Sequence, residues 1–195
     1  MSAVAELVAE GGYQELTLER IAKLARVSHS TFQRLFEGKE DAFLAAQEET
    51  VRRAELALAD SLGSESSPWP ERVRLGLTAL LQAASAEPAL AHAFLVESRT
   101  AGPRATTVYD DALARFVPVL REGRELSSSP DDLPERLEEG IIGGVAWHLS
   151  ERLVEGRAEA LPGFAPDLLT IVLSPYMGED RAREFASQPV ALADE

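Results

Sequence analysis

The stretch from Thr17 to Phe36 reads TLERIAKLARVSHSTFQRLF and decides the fold of the amino-terminal part of the chain. On both sides of Val27, apolar residues recur at intervals of three and four, which is the spacing of an amphipathic helix. Thr17 and Ser28 each stand directly before such a pattern, where a side-chain oxygen can accept a hydrogen bond from a backbone N–H of the first turn. The stretch therefore predicts two short helices joined by a tight turn.

The same helical periodicity continues outward in both directions. Val4, Leu7 and Val8 form one apolar stripe, and the following Gly11-Gly12 pair is typical of a helix end. No segment alternates polar and apolar residues over the length of a strand, so the sequence predicts an all-α protein. Further helices are expected at about residues 39–62, 70–86, 88–98, 104–122, 134–155, 166–177 and 179–187. Pro118 falls inside one of these patterns and predicts a kink or a break there.

Composition limits the classes of function. The chain has 195 residues, of which 45% are hydrophobic, and no cysteine, so disulfides, thiol catalysis and cysteine-bound zinc are excluded. Its apolar runs are far shorter than the roughly 20 residues of a membrane span. Its first residues lack the pattern of a secretory signal. We expect a globular protein of the cytoplasm with no membrane partner.

Charge restricts any nucleic-acid site to a small patch. The formal net charge of −14 opposes broad electrostatic capture of nucleic acid. The imbalance is uneven, because residues 1–46 carry five basic and seven acidic residues, a formal charge of only −2. A nucleic-acid site is therefore expected as a focused patch in this first quarter of the chain.

No pattern points to catalysis. His29, His92 and His148 lie far apart, and none belongs to a two-histidine metal motif. The glycines within residues 140–144 lie in a helical pattern with no preceding strand, which favours close helix packing over nucleotide binding. We expect no enzymatic activity, no metal and no cofactor.

The second helix of the opening stretch has two distinct faces. The apolar face, which is expected to pack inward, consists of Phe32, Leu35 and Phe36. The opposite, polar face consists of His29, Ser30, Gln33 and Arg34. A helix-turn-helix places such a face in the major groove, where Gln33 can read adenine and Arg34 can contact guanine or phosphate. An ordinary solvated helix face is the alternative that the pattern leaves open.

Three runs near the amino terminus keep a distinctive internal spacing. They are Val8-Ala9-Glu10-Gly11-Gly12-Tyr13, Thr17-Leu18-x-x-Ile21-Ala22-x-x-Ala25-x-Val27-Ser28 and Thr31-Phe32-x-Arg34-x-Phe36-x-x-Lys39-Glu40. Together they resemble the DNA-binding domain of tetracycline-repressor-like (TetR family) regulators. The ending Pro175-Tyr176-Met177-Gly178-Glu179-Asp180 is similar to that of many family members.

The resemblance implies a helix-turn-helix DNA-binding domain over residues 1–46 and a ligand-binding and dimerisation domain over residues 47–195. The partners it implies are a double-stranded DNA operator, a small-molecule effector and a second copy of the chain. DNA contacts are then expected from Thr17, Ser28, His29, Ser30, Thr31, Gln33, Arg34 and Lys39. Lys39 is expected to contact phosphate rather than bases.

Several positions depart from the family's pattern. Gln33 stands where an aromatic residue that touches phosphate is usual, and Leu35 stands where tyrosine or histidine is common. Gly38 replaces a serine that often caps the next helix. Most members also have a basic arm before the first helix, whereas Met1 already lies within that predicted helix. These departures predict weak DNA binding or a protein that extends upstream of Met1.

An effector site is expected between the helices over residues 88–122 and the helix over residues 134–155. Its ligand is expected to be a small, mostly apolar molecule. The candidate residues combine aromatic side chains with polar groups that can orient a ligand, namely Phe94, Glu97, Tyr109, Phe116, Trp147 and His148. For each of them, an ordinary core or interface position is the alternative.

A two-fold dimer is expected from the helices over residues 134–155 and 166–177, packed as a four-helix bundle. The second of these helices is apolar nearly all round, which a monomer of this size is not expected to cover. The expected interface residues are Leu137, Ile141, Gly144, Val145, His148, Leu168, Leu169 and Val172.

Two functions are open on these grounds. The first is a dimeric repressor that a small, mostly apolar molecule releases from operator DNA, with the helix over residues 39–62 as the lever between the domains. The second is a family member that has lost DNA binding and acts as a dimeric small-molecule or protein binder. The charge of −2 in residues 1–46 and the presence of Gln33 favour the second function, and the polar helix face favours the first.

Overall fold

The computed structural model describes residues 1–61 and 67–188, apart from the side chains of His29, Asp60 and Ser61. Within these ranges the ordered elements are helices and turns, with no strand, which confirms the predicted all-α class. The α-helices are α1 (Ser2–Gly11), α2 (Leu18–Leu24), α3 (His29–Leu35), α4 (Lys39–Ser61), α5 (Trp69–Ala86), α6 (Pro88–Leu95), α7 (Pro103–Ala114), α8 (Val117–Arg121), α9 (Leu137–Val154), α10 (Ala165–Met177) and α11 (Glu179–Ser187). Short 3-10 turns occur at Tyr13–Glu15, Glu122–Leu126, Pro130–Asp132 and Ala158–Phe164.

Local sequence signals set most helix boundaries where they were predicted. α1 ends before Gly12, whose φ of 75° lies in the left-handed region that favours glycine. The predicted break near Pro118 is confirmed, because α7 ends at Ala114 and Pro118 lies in the first turn of α8. Leu62, the predicted end of α4, and residues 63–66 of the following turn-rich segment lie outside the described residues.

Two boundaries differ from those predicted: α6 ends at Leu95 and not near residue 98, and α9 begins at Leu137 and not at Pro134. The Arg124 guanidinium donates to the carbonyl oxygens of Leu133 at 3.4 Å and Pro134 at 2.6 Å. These bonds hold Leu133 and Pro134 in place, and residues 134–137 form a turn closed by the Leu137 N–H and the Pro134 carbonyl oxygen at 3.2 Å, so the helix starts after the proline.

The first core lies between the amino-terminal helices and two helices of the second half. Ile21, Phe32 and Phe43 are buried in it together with Leu90 and Ala93 of α6. The helix-turn-helix therefore does not form a core of its own, and a change in the position of α6 acts directly on α1 and α4, which pack against it.

The second core lies between α5, α9, α10 and α11. The Trp69 ring meets the Tyr176 ring edge-on with centroids 5.1 Å apart, and Trp69 Nε1 donates to the Val119 carbonyl oxygen at 2.7 Å. A Cβ on Gly123 would lie 2.4 Å from the Trp69 ring, so this close approach requires glycine. Trp69 thus fixes the bend after α8 against α5 and α10.

α4 joins the two halves of the molecule. Ala42 and Phe43 near its start are buried in the first core, and Val51 packs against the aromatic pair of Phe94 and Tyr109. Gln47, midway between them, is buried and donates from Nε2 to Ser98 Oγ at 2.6 Å and to the Ala105 carbonyl oxygen at 3.1 Å. None of the helices in the two described ranges combines the length and apolar character needed to cross a bilayer.

Candidate nucleic-acid interface

Two capping hydroxyls position the helices of the candidate interface. Thr17 Oγ1 accepts a hydrogen bond from the Arg20 N–H at 3.2 Å, and Ser28 Oγ accepts one from the Thr31 N–H at 3.1 Å. Both predicted N-caps are confirmed. Each cap satisfies a backbone donor that a helix start otherwise leaves unpaired, so α2 and α3 begin at defined residues.

The turn between α2 and α3 is a Schellman motif. The Val27 N–H donates to the Ala22 carbonyl oxygen at 3.0 Å, and the Arg26 N–H donates to the Lys23 carbonyl oxygen at 3.3 Å. Arg26 has a φ of 56°, in the left-handed region where glycine is usual. The turn is short and tied to α2 by two backbone bonds, so it fixes the direction in which α3 leaves.

Buried aromatic rings determine which face of α3 points outward. Phe32 is 3% exposed, and its ring centroid lies 4.8 Å from that of the half-buried Phe36. Ser30, Gln33 and Arg34 lie on the opposite side and are exposed. The structure therefore presents the predicted polar face to solvent, while the side chain of His29 lies outside the described residues.

The prediction that Leu35 packs inward was wrong. Leu35 is 66% exposed, although it follows the same apolar spacing as Phe32 and Phe36. α3 has seven residues, and the single stripe formed by Phe32 and Phe36 is what meets α2 and α4. Leu35 projects beside that stripe, so its side chain reaches solvent next to Arg34.

Hydroxyl groups cluster at the start of α3. Ser28 Oγ lies 2.8 Å from Thr31 Oγ1 and 3.0 Å from Ser30 Oγ. Ser28 and Ser30 are exposed and Thr31 is half-buried. Hydroxyls of this kind contact phosphate oxygens or base edges in protein–DNA complexes.

Lys39 lies at the start of α4 and binds the connection between α1 and α2. Its Nζ donates to the carbonyl oxygens of Tyr13 at 3.3 Å and Gln14 at 3.2 Å, and lies 4.7 Å from the centre of the Tyr13 ring. The side chain is half-buried. Its charge remains beside the helix-turn-helix, but two of its three donors are already used within the protein.

Glu97 was a candidate ligand residue, and the structure places it against the amino-terminal helices. Its Oε2 accepts hydrogen bonds from the Tyr13 N–H at 3.0 Å and from the Thr100 hydroxyl at 2.8 Å. The nearby Gln14 Nε2 donates to the Thr100 carbonyl oxygen at 3.4 Å. Glu97 therefore joins the end of α6 to the connection between α1 and α2.

Of the other candidate ligand residues, the structure brings Phe94 and Tyr109 together. Their ring centroids are 5.4 Å apart, and both rings are buried. Burial raises the pKa of the Tyr109 phenol, so the hydroxyl stays neutral at physiological pH. Trp147 and His148 lie instead on the exposed side of α9, edge-on to each other at 5.0 Å, and Phe116 is half-buried at the start of α8.

A groove of about 330 Å³ opens between α4 and α7, beside the Phe94–Tyr109 pair. Two of its apolar lining residues, Val51 and Ala112, also pack in the cluster formed around those rings. Its rim carries the charged residues Glu48, Arg52, Glu55, Asp111 and Arg115. Phe94 and Tyr109 are not among the residues that line the groove, and both rings are buried.

The expected dimer residues divide into two groups. Four of them are buried inside their own chain: Ile141, Leu168, Leu169 and Val172. Leu137 and Val145 are half-buried, and Gly144 and His148 are exposed. The apolar sides of α9 and α10 thus pack within the same chain to a larger extent than the sequence indicated, with Ile141, Leu169 and Val172 in the second core and Leu168 in a neighbouring apolar cluster.

A separate exposed stripe runs along α9. Its members recur at intervals of three and four, and they are Gly140, Gly143, Gly144, Trp147, His148, Glu151 and Val154. Nothing lies within 4 Å of a Cβ built on any of the three glycines, so this side of the helix is open. On α10, Ile171 is 48% exposed.

Sequence reasoning missed a buried ion pair on the other side of α9. Glu138 is fully buried and accepts hydrogen bonds from Arg124 Nε at 2.7 Å and Nη2 at 3.0 Å, and from the Tyr176 hydroxyl at 3.3 Å. Burial raises the pKa of Glu138, but the bonds and charge of Arg124 outweigh it and hold the pKa below its ordinary value. The only sequence signal was the ending motif that contains Tyr176.

In residues 1–61 and 67–188, no group of three histidine or acidic side chains is arranged to hold a metal ion.

Comparison with known proteins gives a family match for the first residues and a fold match for most of the chain. Residues 1–46 match the family model described as bacterial regulatory proteins, tetR family. Comparison with curated proteins finds no match.

Several solved structures share the fold over most of the chain. The fatty acid degradation regulator FadR from Bacillus halodurans has a TM-score of 0.72 at 21% identity, over 88% of this chain and 91% of that one. A TetR-like transcriptional regulator from Rhodococcus sp. RHA1 has a TM-score of 0.67 at 18% identity, over 89% and 91%. The transcriptional regulator FadR from Bacillus subtilis, in complex with stearoyl-CoA, has a TM-score of 0.64 at 18% identity, over 88% and 95%. At these identities the likeness shows a common fold.

Proposed function

We propose, from the premise that residues 1–46 form a tetR-family DNA-binding domain, that this protein is a ligand-responsive repressor of transcription. The observation that carries the proposal is the outward face of α3, where Ser30, Gln33 and Arg34 are exposed opposite the buried Phe32. A capped helix that follows a short turn and presents hydrogen-bonding side chains has the geometry that enters a major groove.

Each residue of the interface is assigned a role from its chemistry. Gln33 reads adenine through its amide, and Arg34 contacts guanine or phosphate. The other proposed contacts, to phosphate or to neighbouring base edges, come from Thr17, Ser28, His29, Ser30, Thr31 and Lys39. Thr17 and Ser28 also cap their helices, so their loss is expected to affect folding as well as binding.

The proposed active form is a two-fold dimer. We assign the interface to the exposed stripe of α9 and to Ile171 of α10, with Gly144 and His148 as the members that sequence reasoning had named. Glycines at three positions of the stripe let a partner helix approach closely, and the exposed Trp147 and Val154 supply apolar area to bury. A dimer places two recognition helices on successive half-sites.

The proposed effector is a small, mostly apolar molecule that binds at Phe94 and Tyr109. The groove between α4 and α7 shares Val51 and Ala112 with the cluster around these rings, and its volume of about 330 Å³ is in the lower range of small-molecule sites. Because FadR from Bacillus subtilis is in complex with stearoyl-CoA, acyl-CoA thioesters are sensible first compounds to test.

Two connections carry the proposed effect of the ligand to the DNA-binding helices. α4 runs from Lys39 beside the helix-turn-helix to Val51 beside the aromatic pair. The end of α6 holds the connection between α1 and α2 through Glu97. A ligand that displaces α4 or α6 changes the spacing of the two recognition helices, and it lowers operator affinity by favouring that state.

The charge balance of residues 1–46 supports a second function, one without DNA binding. Five basic residues against seven acidic ones in residues 1–46 provide few phosphate contacts, which favours a dimeric small-molecule or protein binder without a DNA target.

A binding experiment separates the two functions. The full chain is titrated onto DNA from upstream of its own gene in the presence of competitor DNA, with the parent, Arg34→Ala and Arg183→Ala compared. Arg183 is the matched control, because it is also an exposed arginine but lies on α11, where it pairs with Glu179 of the same helix. The proposal expects specific binding by the parent and Arg183→Ala and weakened binding by Arg34→Ala. Equal behaviour of all three proteins, or no specific binding, favours the second function.

A further inference from the structure

Leu35 is the most exposed large apolar side chain in residues 1–61 and 67–188. Its exposed fraction of 66% exceeds the 64% of Val154 and the 56% of Trp147, which both lie on the stripe proposed to bury against a second copy. Folding of the chain therefore gains little from Leu35. Its burial would have to come from whatever contacts α3.

Helix geometry places Leu35 at the edge of the DNA-reading face. Successive side chains are about 100° apart around a helix, so Arg34 points almost directly away from the buried Phe32. Gln33 and Leu35 then project on either side of Arg34. Leu35 lies about 3 Å further along the axis than Gln33, toward the end of α3.

A leucine side chain has one specific partner in the major groove. It neither donates nor accepts hydrogen bonds, so it cannot read the polar edges of guanine, cytosine or adenine or bind phosphate. The C5 methyl group of thymine is the apolar group that a base presents there, and apolar side chains contact it.

The net negative charge of residues 1–46 makes an apolar base contact more important for affinity. Residues 1–46 have a formal charge of −2, and Lys39 already uses two donors within the protein. With few phosphate contacts available, base contacts must supply a larger share of the affinity.

We propose that Leu35 is a specificity-determining residue that contacts the C5 methyl group of a thymine in each operator half-site. This inference rests on the proposed DNA-binding function. It predicts an A·T pair at one fixed position of each half-site, on the side of Arg34 opposite to the base that Gln33 reads.

Replacement of thymine by uracil tests the contact, because it removes the methyl group and leaves base pairing intact. A duplex that binds the full-length protein is first selected from a random library, and each thymine is then replaced by uracil, symmetrically in both half-sites. We expect one position at which the replacement weakens binding of the parent about four-fold per half-site, because the complex no longer buries one methyl group there. Leu35→Ala is expected to bind that thymine duplex and its uracil form equally.

Leu56→Ala is the matched control, because Leu56 is 50% exposed on α4 and away from α3. It should keep the parent's sensitivity to uracil. If uracil replacement does not weaken binding of the parent at any thymine, or if Leu35→Ala keeps the full sensitivity to uracil, the inference about Leu35 is wrong. The proposed DNA-binding function is not affected by either result. The uracil series on the parent needs no variant, so it remains decisive even if Leu35→Ala folds poorly. Failure to select any duplex overturns the proposed function and this inference with it.

Discussion

The backbone N–H of Tyr13 donates a hydrogen bond to the carboxylate of Glu97, 84 positions away in sequence, at 3.0 Å. On the same short segment, the carbonyl oxygens of Tyr13 and Gln14 accept from Lys39 Nζ. The connection between α1 and α2 is therefore held from one side by α6 and from the other by α4. α6 contributes Phe94 to the Phe94–Tyr109 pair where we propose the effector binds, and α4 packs Val51 against that pair.

Glu97→Ala should loosen this connection without unfolding the chain. The carboxylate bond is charge-assisted, and such bonds contribute about 1.5–3 kcal/mol, so local opening at Tyr13 should become at least about ten-fold more frequent. Amide hydrogen exchange at Tyr13 measures this directly. Glu97→Gln keeps an acceptor oxygen and should show a smaller increase. Unchanged protection of the Tyr13 amide in Glu97→Ala would show that the bond does not hold the connection.

Arg34→Ala and Phe32→Ala should separate binding from folding within one helix. Arg34 is exposed, so its loss should weaken operator binding and leave the melting temperature nearly unchanged. Phe32 is 3% exposed, so its truncation should cost roughly 3–5 kcal/mol of the free energy of unfolding. Thermal denaturation and DNA titration of both variants check this. A strongly destabilised Arg34→Ala would show that the outward face of α3 is misassigned.

The sequence predicts those features that depend on neighbouring residues. The caps at Thr17 and Ser28, the helix end at Gly12 and the break near Pro118 each follow from the chemistry of a few adjacent positions, and the structure has all of them. The sequence placed Leu35 in the core wrongly. Apolar spacing predicts which face of a helix is buried, but it does not predict how much of that face the neighbouring helices cover.

Contacts between residues that are far apart in the chain could not be predicted from the sequence. Glu138 meets Arg124 and Tyr176 only because α8, α9 and α10 pack together, and no local pattern marks the three residues as partners. Ile141 and Val172 illustrate the same limit. Their apolar character fits an interface and a core equally well, and packing within the chain decides for the core.

Ile171→Asp should disrupt the dimer, whereas Ile141→Asp should disrupt the fold. Ile171 is 48% exposed, so its replacement should leave the fold intact and yield monomers in sedimentation velocity. Ile141 is 8% exposed in the second core, so a charge there costs several kcal/mol and should unfold the protein, as seen by circular dichroism. A folded, dimeric Ile171→Asp would place the interface elsewhere than the exposed sides of α9 and α10.

Glu138 should make stability depend on pH. A carboxyl whose pKa is lower in the folded state stabilises the fold above its unfolded pKa of about 4.3, and this contribution is lost as pH falls through the folded pKa. Glu138→Gln should therefore reduce the loss of stability in acid. At neutral pH it should cost about 3 kcal/mol, because Arg124 loses its buried partner.

Urea denaturation at several pH values measures both effects. Glu139→Gln is the control, since Glu139 is exposed at the next position of the same helix. A Glu138→Gln protein as stable as the parent at neutral pH would contradict a stabilising role for this ion pair.

The salt dependence of binding to upstream DNA tests the central claim most directly. A regulator with so few basic residues in residues 1–46 can neutralise about five to seven phosphates per dimer, so log affinity should fall against log salt with a slope of about −4 to −6. We predict such a slope for specific binding to one site in that DNA. Binding that is equally weak for every sequence, or absent at low salt, would contradict the account of this protein as a DNA-binding regulator.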